Sequence, residues 1–296
     1  MKIFDCFMYF DEDMLLEIRL NELEKFVDKF VIVESNHTHS GIRRKLLFDI
    51  NKFSKFKDKI IYVIVDSQPK GILKILEKDT QDIKNTKFIM NAVKRENFQR
   101  NEIFRGLHDA KPNDLILLSD LDEIPDLNTI NIKQLPYKII LFKQKNFYYK
   151  FNLCLENYDW FGTKACKYKD LISPQWLRNV KNKKYPFWRL DIFFTIKKYQ
   201  DIHIVNDGGW HFSYFKDAKG IEEKLKSYLH HHEYDLDPLG VTKIKKMIES
   251  NIPVYDLKTD MKKSKFANKK QLKVQKDLEL PKYIINNKKK YNQWFV

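Results

Sequence analysis

The sequence predicts an α/β fold: a mostly parallel, doubly wound, Rossmann-like sheet flanked by helices, with a basic helical extension at the C-terminus. Three observations predict it. Short apolar runs at residues 2–10, 29–34, 59–66 and 115–118 read as buried strands. Apolar residues at helical spacing lie between them, and alternating strand and helix is the pattern of a parallel sheet. After Pro125 the pattern changes to aromatic-rich runs, which suggest a mixed or antiparallel part of the same sheet.

In chain order, residues 2–10 give a first strand. A helix follows through Leu16, Leu20, Leu23 and Val27, with the acidic "DED" of residues 11–13 in its first turn, where it complements the helix dipole. "KFVIVES" is a second strand ending in Glu34, "NHTHSG" a polar loop, and "DKIIYVIVD" a third strand ending in Asp66. Residues 71–84 carry no assignment. A helical pattern runs from Thr86 to about Ala110 through Phe88, Ala92, Ile103 and Leu107, and "LILL" is the next strand. "YKIILFKQKNFYYKFNLCL" and "YPFWRLDIFFTI" read as further strands, "DIHIVNDGGWHFSYF" follows, and a helix is expected over residues 219–231. No repeat or flexible linker divides the chain, so one domain over residues 1–240 and a basic extension over 241–296 is the simplest organisation.

With 296 residues, 43% hydrophobic and 14% aromatic, the chain can bury a large core without staples. Cys6, Cys154 and Cys166 are too few and too far apart for a disulfide framework or zinc knuckle, so reduced thiols are expected. No apolar stretch approaches the roughly 18 to 20 residues of a membrane span, and "MKIFDCFMYF" is interrupted by Asp5. A cytoplasmic protein is expected. The net charge of +15 favours anionic partners. Much of the excess lies beyond residue 240, where lysine far outnumbers arginine and no aromatic-rich RNA-binding signature occurs. The tail therefore reads as a solvated lysine face, with peripheral contact to an anionic membrane as an alternative; nucleic acid is not expected.

Asp-x-Asp occurs three times, at Asp11/Asp13, Asp120/Asp122 and Asp235/Asp237, and only the middle copy follows an apolar run. In open α/β sheets ligands bind beyond the carboxyl ends of the strands. Two carboxylates in a tight turn there can converge on Mg²⁺ or Mn²⁺, which is usually completed by substrate phosphates. In "NDGGWHFSYF" the adjacent glycines allow a close backbone approach or positive φ. His211 behind them is either a third metal ligand or a core histidine, and Trp210 either packing or a sugar platform. "ENFQRNEI" sets Gln99, Arg100 and Asn101 inside a helical pattern. Arg100 there could grip a diphosphate or a carboxylate, or lie on a surface face.

Taken together, the N-terminal run "FDCFMYFDEDMLLEIRLNELEKFVDKFVIVESNHTHSG", "ENFQRNEI", "DLILLSDLDEIP" and "GGWHFSYF", in that order, resemble glycosyltransferase family 17 over about residues 3–235. The resemblance implies a GT-A-type fold, a UDP-sugar donor, UDP-N-acetylglucosamine foremost, a divalent cation and inverting transfer to a glycan hydroxyl. It implies that Asp120 and Asp122 hold metal and donor, Asp122 ahead of Asp120 as direct ligand, and that His211 lies at the metal or diphosphate. Glu34 would face the uridine and Arg100 the donor phosphates, with Asn101 and Trp210 in the same donor site. For the general base Asp207 is the first candidate, with Glu123 and Glu156 also open. An N-terminal anchor of the eukaryotic members is not seen, so a bacterial or viral cytoplasmic enzyme decorating a surface glycan is expected. Two other readings are a haloacid-dehalogenase-type phosphohydrolase, whose Asp-x-Asp continues differently and lies near the N-terminus, and a non-catalytic protein binding through its basic tail.

Overall fold

The computed structural model describes residues 1–156, 158–186, 188, 189, 191, 194–229, 231–254, 271–275 and 280–296. Its first half is a four-stranded parallel sheet. Strands β1 (Ile3–Tyr9), β2 (Lys29–Ser35), β3 (Ile60–Val65) and β4 (Leu115–Leu118) lie in the order β3-β2-β1-β4, all parallel. This is the Rossmann-like half of the expected GT-A-type fold. Strand alternation sends side chains to opposite faces, and each face has its own helices. Ile3 and Phe7, Phe30 and Ile32, and Leu115 and Leu117 pack with helix α1 (Asp13–Leu23). Phe4 and Cys6, Val31 and Val33, and Ile116 and Leu118 pack with Ile103 and Leu107 on one side and Trp176 and Leu177 of α3 (Pro174–Asn179) on the other.

Asp5 is central on the α1 face, fully buried, and meets the equally buried Arg19 of α1 at 2.6 Å. A buried charge persists only when paired and hydrogen-bonded. Arg19 fulfils this with more than Asp5: its Nη1 donates to the carbonyls of Asp120, Leu121 and Glu123 and its Nη2 to Ser119 Oγ. One guanidinium thus ties the middle of β1 to the turn that follows β4.

Beyond β4 the sheet becomes mixed, as the change after Pro125 suggests. Among the described residues, strand β5 (Glu123–Pro125) pairs only with β10 (Gly209–Ser213), antiparallel. Strand β6 (Ile139–Tyr148) takes β8 (Trp160–Lys167) and β7 (Leu153–Cys154) antiparallel, and β9 (Ile202–Val205) and β10 parallel. β8 also runs antiparallel to β4 and so joins the two halves. No helix among the described residues is long and apolar enough to cross a membrane. Cys6, Cys154 and Cys166 are buried free thiols, as expected.

Several elements differ from the sequence reading. The helix expected over 86–110 begins earlier, as α2 (Gln81–Asn101), because Thr80 caps it by accepting from the Ile83 amide; it then tightens into a 3-10 turn over Glu102–Leu107. "YPFWRLDIFFTI" forms no strand at its described positions. Trp188 and Phe194 are exposed there, and residues 187, 190, 192 and 193 lie outside the described set. The place in the sheet belongs instead to β8, whose buried Lys164 disguises it as a surface segment. Its ammonium donates to the Arg178 and Val180 carbonyls at 2.7 and 2.6 Å, and burial pushes its pKa down to about 7. The helix expected over 219–231 is α4 (Ala218–Ser227), followed by α5 (His231–Leu236).

Past residue 240 the described elements are α6 (Gly240–Glu249), β11 (Lys273–Val274), α7 (Lys282–Asn286) and a 3-10 turn over Asn292–Trp294. The helix expected through residues 255–270 and 276–279 lies outside the described residues. α7 packs on α1: the Tyr283 amide donates to Glu22 and its hydroxyl to Glu17, and Ile284 and Tyr291 join the core of the α1 face. Chemical denaturation tests the central ion pair. Arg19→Met should cost about 3–5 kcal/mol, because it leaves the Asp5 carboxylate buried without a partner. Asp5→Leu combined with Arg19→Met should recover part of that loss.

Candidate functional site

The carboxyl ends of β1, β2 and β4 open on a cavity of about 350 Å³. Each element delivers its residues for a local reason. The turn after β4, held by Arg19, presents Asp120 and Asp122. The loop after β1 presents Glu12, whose Oε2 accepts the Phe10 and Asp11 amides. The loop after β2 presents His37 and His39, α2 contributes Glu96, Gln99 and Arg100, and the end of α3 contributes Arg178. The opposite wall is β10, where alternation turns His211 and Ser213 to the cavity and Trp210 and Phe212 to the core. Lys224 of α4 closes that side.

Four carboxylates and four Arg/Lys cations line the cavity, in paired arrangements. Asp120 Oδ1 accepts from Arg100 at 3.1 Å and Oδ2 from Arg178 at 2.8 Å. Burial alone would raise its pKa, but Arg178 and Arg100 together hold it well below the usual carboxylate range. Asp122 Oδ2 lies 3.2 Å from Lys224 Nζ, and Oδ1 lies 3.8 Å from His211 Nε2. Burial opposes the charge on Lys224, yet Asp122 and Glu12 raise its pKa and keep it protonated. Burial lowers the pKa of His211, whose ring stacks on Trp160 at 4.4 Å and faces Ser213 Oγ at 3.2 Å from Nε2. Neutral imidazole is the form that can act as a ligand.

Of the residues singled out in the sequence, Gln99, Arg100, Asp120, Asp122 and His211 meet at the cavity. The others do not. Glu34 is fully buried and turned the other way, accepting from the Leu47 and Phe48 amides and the Tyr62 hydroxyl and pairing with Arg44, so it anchors a loop. Asn101 accepts from the Gln175 amide. Trp210 is core. Asp207 sits on the exposed turn between β9 and β10, 3.6 Å from Lys145 and off the cavity lining. Glu123 has no free oxygen edge: Arg178 grips both oxygens, Trp160 Nε1 donates to Oε1 and the Asp120 amide to Oε2. Glu156 pairs with Lys273. The glycine pair also serves packing: Gly209, at φ +127°, has the Ile124 carbonyl where a side chain would begin, so the close approach is to β5.

Arg178, Lys224, Glu12 and Trp160 were missed. The signal for Arg178 was present in "SPQWLRN", where Ser173 caps the helix and Pro174 opens it, which puts Arg178 in the last turn. Glu12 lies in the "DED" read as a dipole partner. It is the carboxylate of the cavity with the most distant cation, Lys224 at 3.8 Å.

Among the described residues no three His, Cys, Asp or Glu side chains form a metal-binding group. Asp122 and His211 nevertheless fit a hard-cation site of the substrate-completed kind. One carboxylate oxygen and one imidazole nitrogen lie 3.8 Å apart, and phosphate oxygens of a substrate would supply the remaining positions.

The sequence description of glycosyltransferase family 17 matches residues 1–295. The chain belongs to this family. A stretch of 115 residues, 38% of the chain, is 32% identical to the human β-1,4-mannosyl-glycoprotein 4-β-N-acetylglucosaminyltransferase and equally to that of Rattus norvegicus. The matched stretch spans 19% of the length of either relative. Among solved structures, glucosyl-3-phosphoglycerate synthase from Mycobacterium tuberculosis is similar over 96% of this chain and 91% of its own, at 11% identity and a TM-score of 0.33. HddC from Yersinia pseudotuberculosis is similar over 70% and 91%, at 10% identity and a TM-score of 0.31.

Within this member of the family, Arg178 is the residue on which the acidic turn's charge balance rests. Arg178→Met should destabilise the protein by about 3 kcal/mol in denaturant titrations, because Glu123 is left buried without its ion pair. Arg178→Lys, which keeps the charge and loses the bidentate fork, should fall between the two.

Proposed function

We propose that the protein transfers a sugar, N-acetylglucosamine foremost, from a UDP-sugar to a hydroxyl of a glycan acceptor, with inversion at the anomeric carbon and dependence on Mn²⁺ or Mg²⁺. The observation that carries this reading is the placement of Asp120, Asp122 and His211 around one cavity at the carboxyl ends of a parallel sheet, where α/β proteins bind nucleotides. Family membership supports transfer chemistry. The N-acetylglucosaminyltransferases that match part of the chain support the sugar.

The residues divide the task. Lys224 and Arg178 are the more accessible cations, at 24% and 17% side-chain exposure against 2% for Arg100; Lys224 is placed to meet a diphosphate, while both Nη atoms of Arg178 are engaged by Glu123, Asp120 and the Gly162 carbonyl. Arg100 acts behind them by fixing Asp120. Asp122 and His211 would hold the divalent cation, whose charge offsets that gathering on the leaving diphosphate. In a single displacement the acceptor oxygen bonds to the anomeric carbon as the bond to the diphosphate breaks, and the hydroxyl proton passes to a base. Glu12 fits the base: it lies on the cavity and, among the described residues, its Oε1 has no cation nearer than 3.8 Å, whereas Asp120 is committed to two arginines. That commitment also argues against a phosphohydrolase, which needs a free aspartate as nucleophile.

Thermal unfolding with UDP tests the donor site without an acceptor. With Mn²⁺, UDP at a hundredfold excess over its dissociation constant should add about 2.7 kcal/mol and raise the melting temperature by several degrees. Asp122→Asn should abolish the metal-dependent part. A folded protein with no shift at saturating UDP and Mn²⁺ would overturn the reading. Glu12→Gln should keep the shift while lowering kcat about 10² to 10⁴-fold with the donor and acceptor that a UDP-sugar panel identifies. An unchanged kcat would remove Glu12 as the base.

A further inference from the structure

Behind Arg178 the chain leaves the cavity wall and returns to β9 through residues 180–200. The two limbs of this segment are tied at their base. The Lys181 amide donates to the Lys197 carbonyl at 2.8 Å, the Tyr185 amide to the Tyr199 carbonyl at 3.2 Å, and the Trp176 indole to the Ile196 carbonyl. Tyr185 is buried, with Lys183 and Lys198 over its ring.

The outer part of the segment is unlike a water-facing loop. Phe194 is 89% exposed, more than any other large apolar side chain among the described residues, and Trp188 is 67% exposed. Ile196 and, just before α3, Ile172 are more than half exposed. Residues 181–200 carry Lys181, Lys183, Lys184, Arg189, Lys197 and Lys198 against a single acid, Asp191, which pairs with Arg189 and Lys198 and so links the two limbs. The apolar side chains therefore sit within a field of five uncompensated positive charges, six cations less one acid.

We propose that Trp188, Phe194, Ile196 and Ile172, with the lysines that flank them, form a docking surface for an anionic lipid bilayer. Tryptophan and phenylalanine insert at the headgroup boundary, where an amphipathic ring is at its most stable, and nearby lysines are drawn to the negative surface potential. A nucleic acid would use the cations and the ring faces but has no use for exposed isoleucines, whereas a bilayer takes aromatic and aliphatic side chains alike. The surface is separate in sequence from the lysine-rich stretch of residues 258–276. It adjoins α3, which carries Arg178, so a docked molecule would hold its cavity wall beside the membrane. The proposal is independent of which sugar is transferred, or whether one is.

Flotation of the full chain with phosphatidylcholine vesicles, with and without phosphatidylglycerol, provides the test. Binding should require phosphatidylglycerol and weaken as salt rises. Trp188→Ala with Phe194→Ala should weaken it about tenfold or more. Lys181→Gln, Lys183→Gln and Lys184→Gln together should weaken it roughly a hundredfold. The melting temperature and its response to UDP should stay as in the unaltered protein, which separates this surface from the nucleotide site. Absence of binding to the anionic vesicles overturns the proposal. So does binding that survives the loop substitutions and is lost on Lys262→Gln, Lys263→Gln and Lys265→Gln. Single-stranded RNA that displaces the protein from vesicles and itself loses affinity in Trp188→Ala would reassign the surface to nucleic acid.

Discussion

The Arg19–Asp5 pair is the constraint on which the rest of this protein depends. A carboxylate in the middle of β1 and a guanidinium on α1 are both withdrawn from water, at a cost that only dense hydrogen bonding offsets. Arg19 meets that requirement by collecting three carbonyls and a hydroxyl from residues 119–123. The turn with Asp120 and Asp122 is thereby shaped from below, by the core, before any ligand arrives. Asp120 and Asp122 are left to face the cavity, and the carbonyls of residues 120, 121 and 123 are already engaged by Arg19.

On top of that turn lies a second layer of charge. Arg100 and Arg178 hold Asp120, Arg178 holds Glu123 in the same grip, and Lys224 partners Asp122. The layer explains why neighbouring carboxylates in one short motif have different availability. Glu123 is enclosed and structural, Asp120 is pinned, and Asp122 keeps one oxygen turned to His211. His211 in turn is set by strand alternation in β10 and by its stack on Trp160, so the two halves of the cavity are positioned by different parts of the sheet.

The parallel half of the fold was legible in the sequence because each buried strand is a continuous apolar run, and a run buried on both faces shows itself without periodicity. The mixed half was less so. β8 hides behind Lys164 and Thr163, whose polarity is satisfied internally. "YPFWRLDIFFTI" is apolar enough for a strand yet remains largely on the surface at its described positions. For the site, the residues that belong to a motif at a strand end, Asp120, Asp122 and His211, could be found from spacing. Glu34, also at a strand end, could not be distinguished from them, because whether a carboxylate faces a ligand or a returning loop is decided by tertiary contacts. Arg178 and Lys224 come from short helices far along the chain, and nothing local in the sequence says which side of the sheet those helices will cover.

The proposed function turns on a divalent cation held by Asp122 and His211 and completed by a nucleotide diphosphate. Electron spin-echo measurements on Mn²⁺ bound with UDP would address this most directly, because they detect the nuclei that surround the metal. The account predicts phosphorus coupling from the diphosphate together with nitrogen coupling from one imidazole, the latter lost in His211→Ala while the protein stays folded. Phosphorus coupling with no nitrogen signal, or a nitrogen signal that persists in His211→Ala, would contradict it.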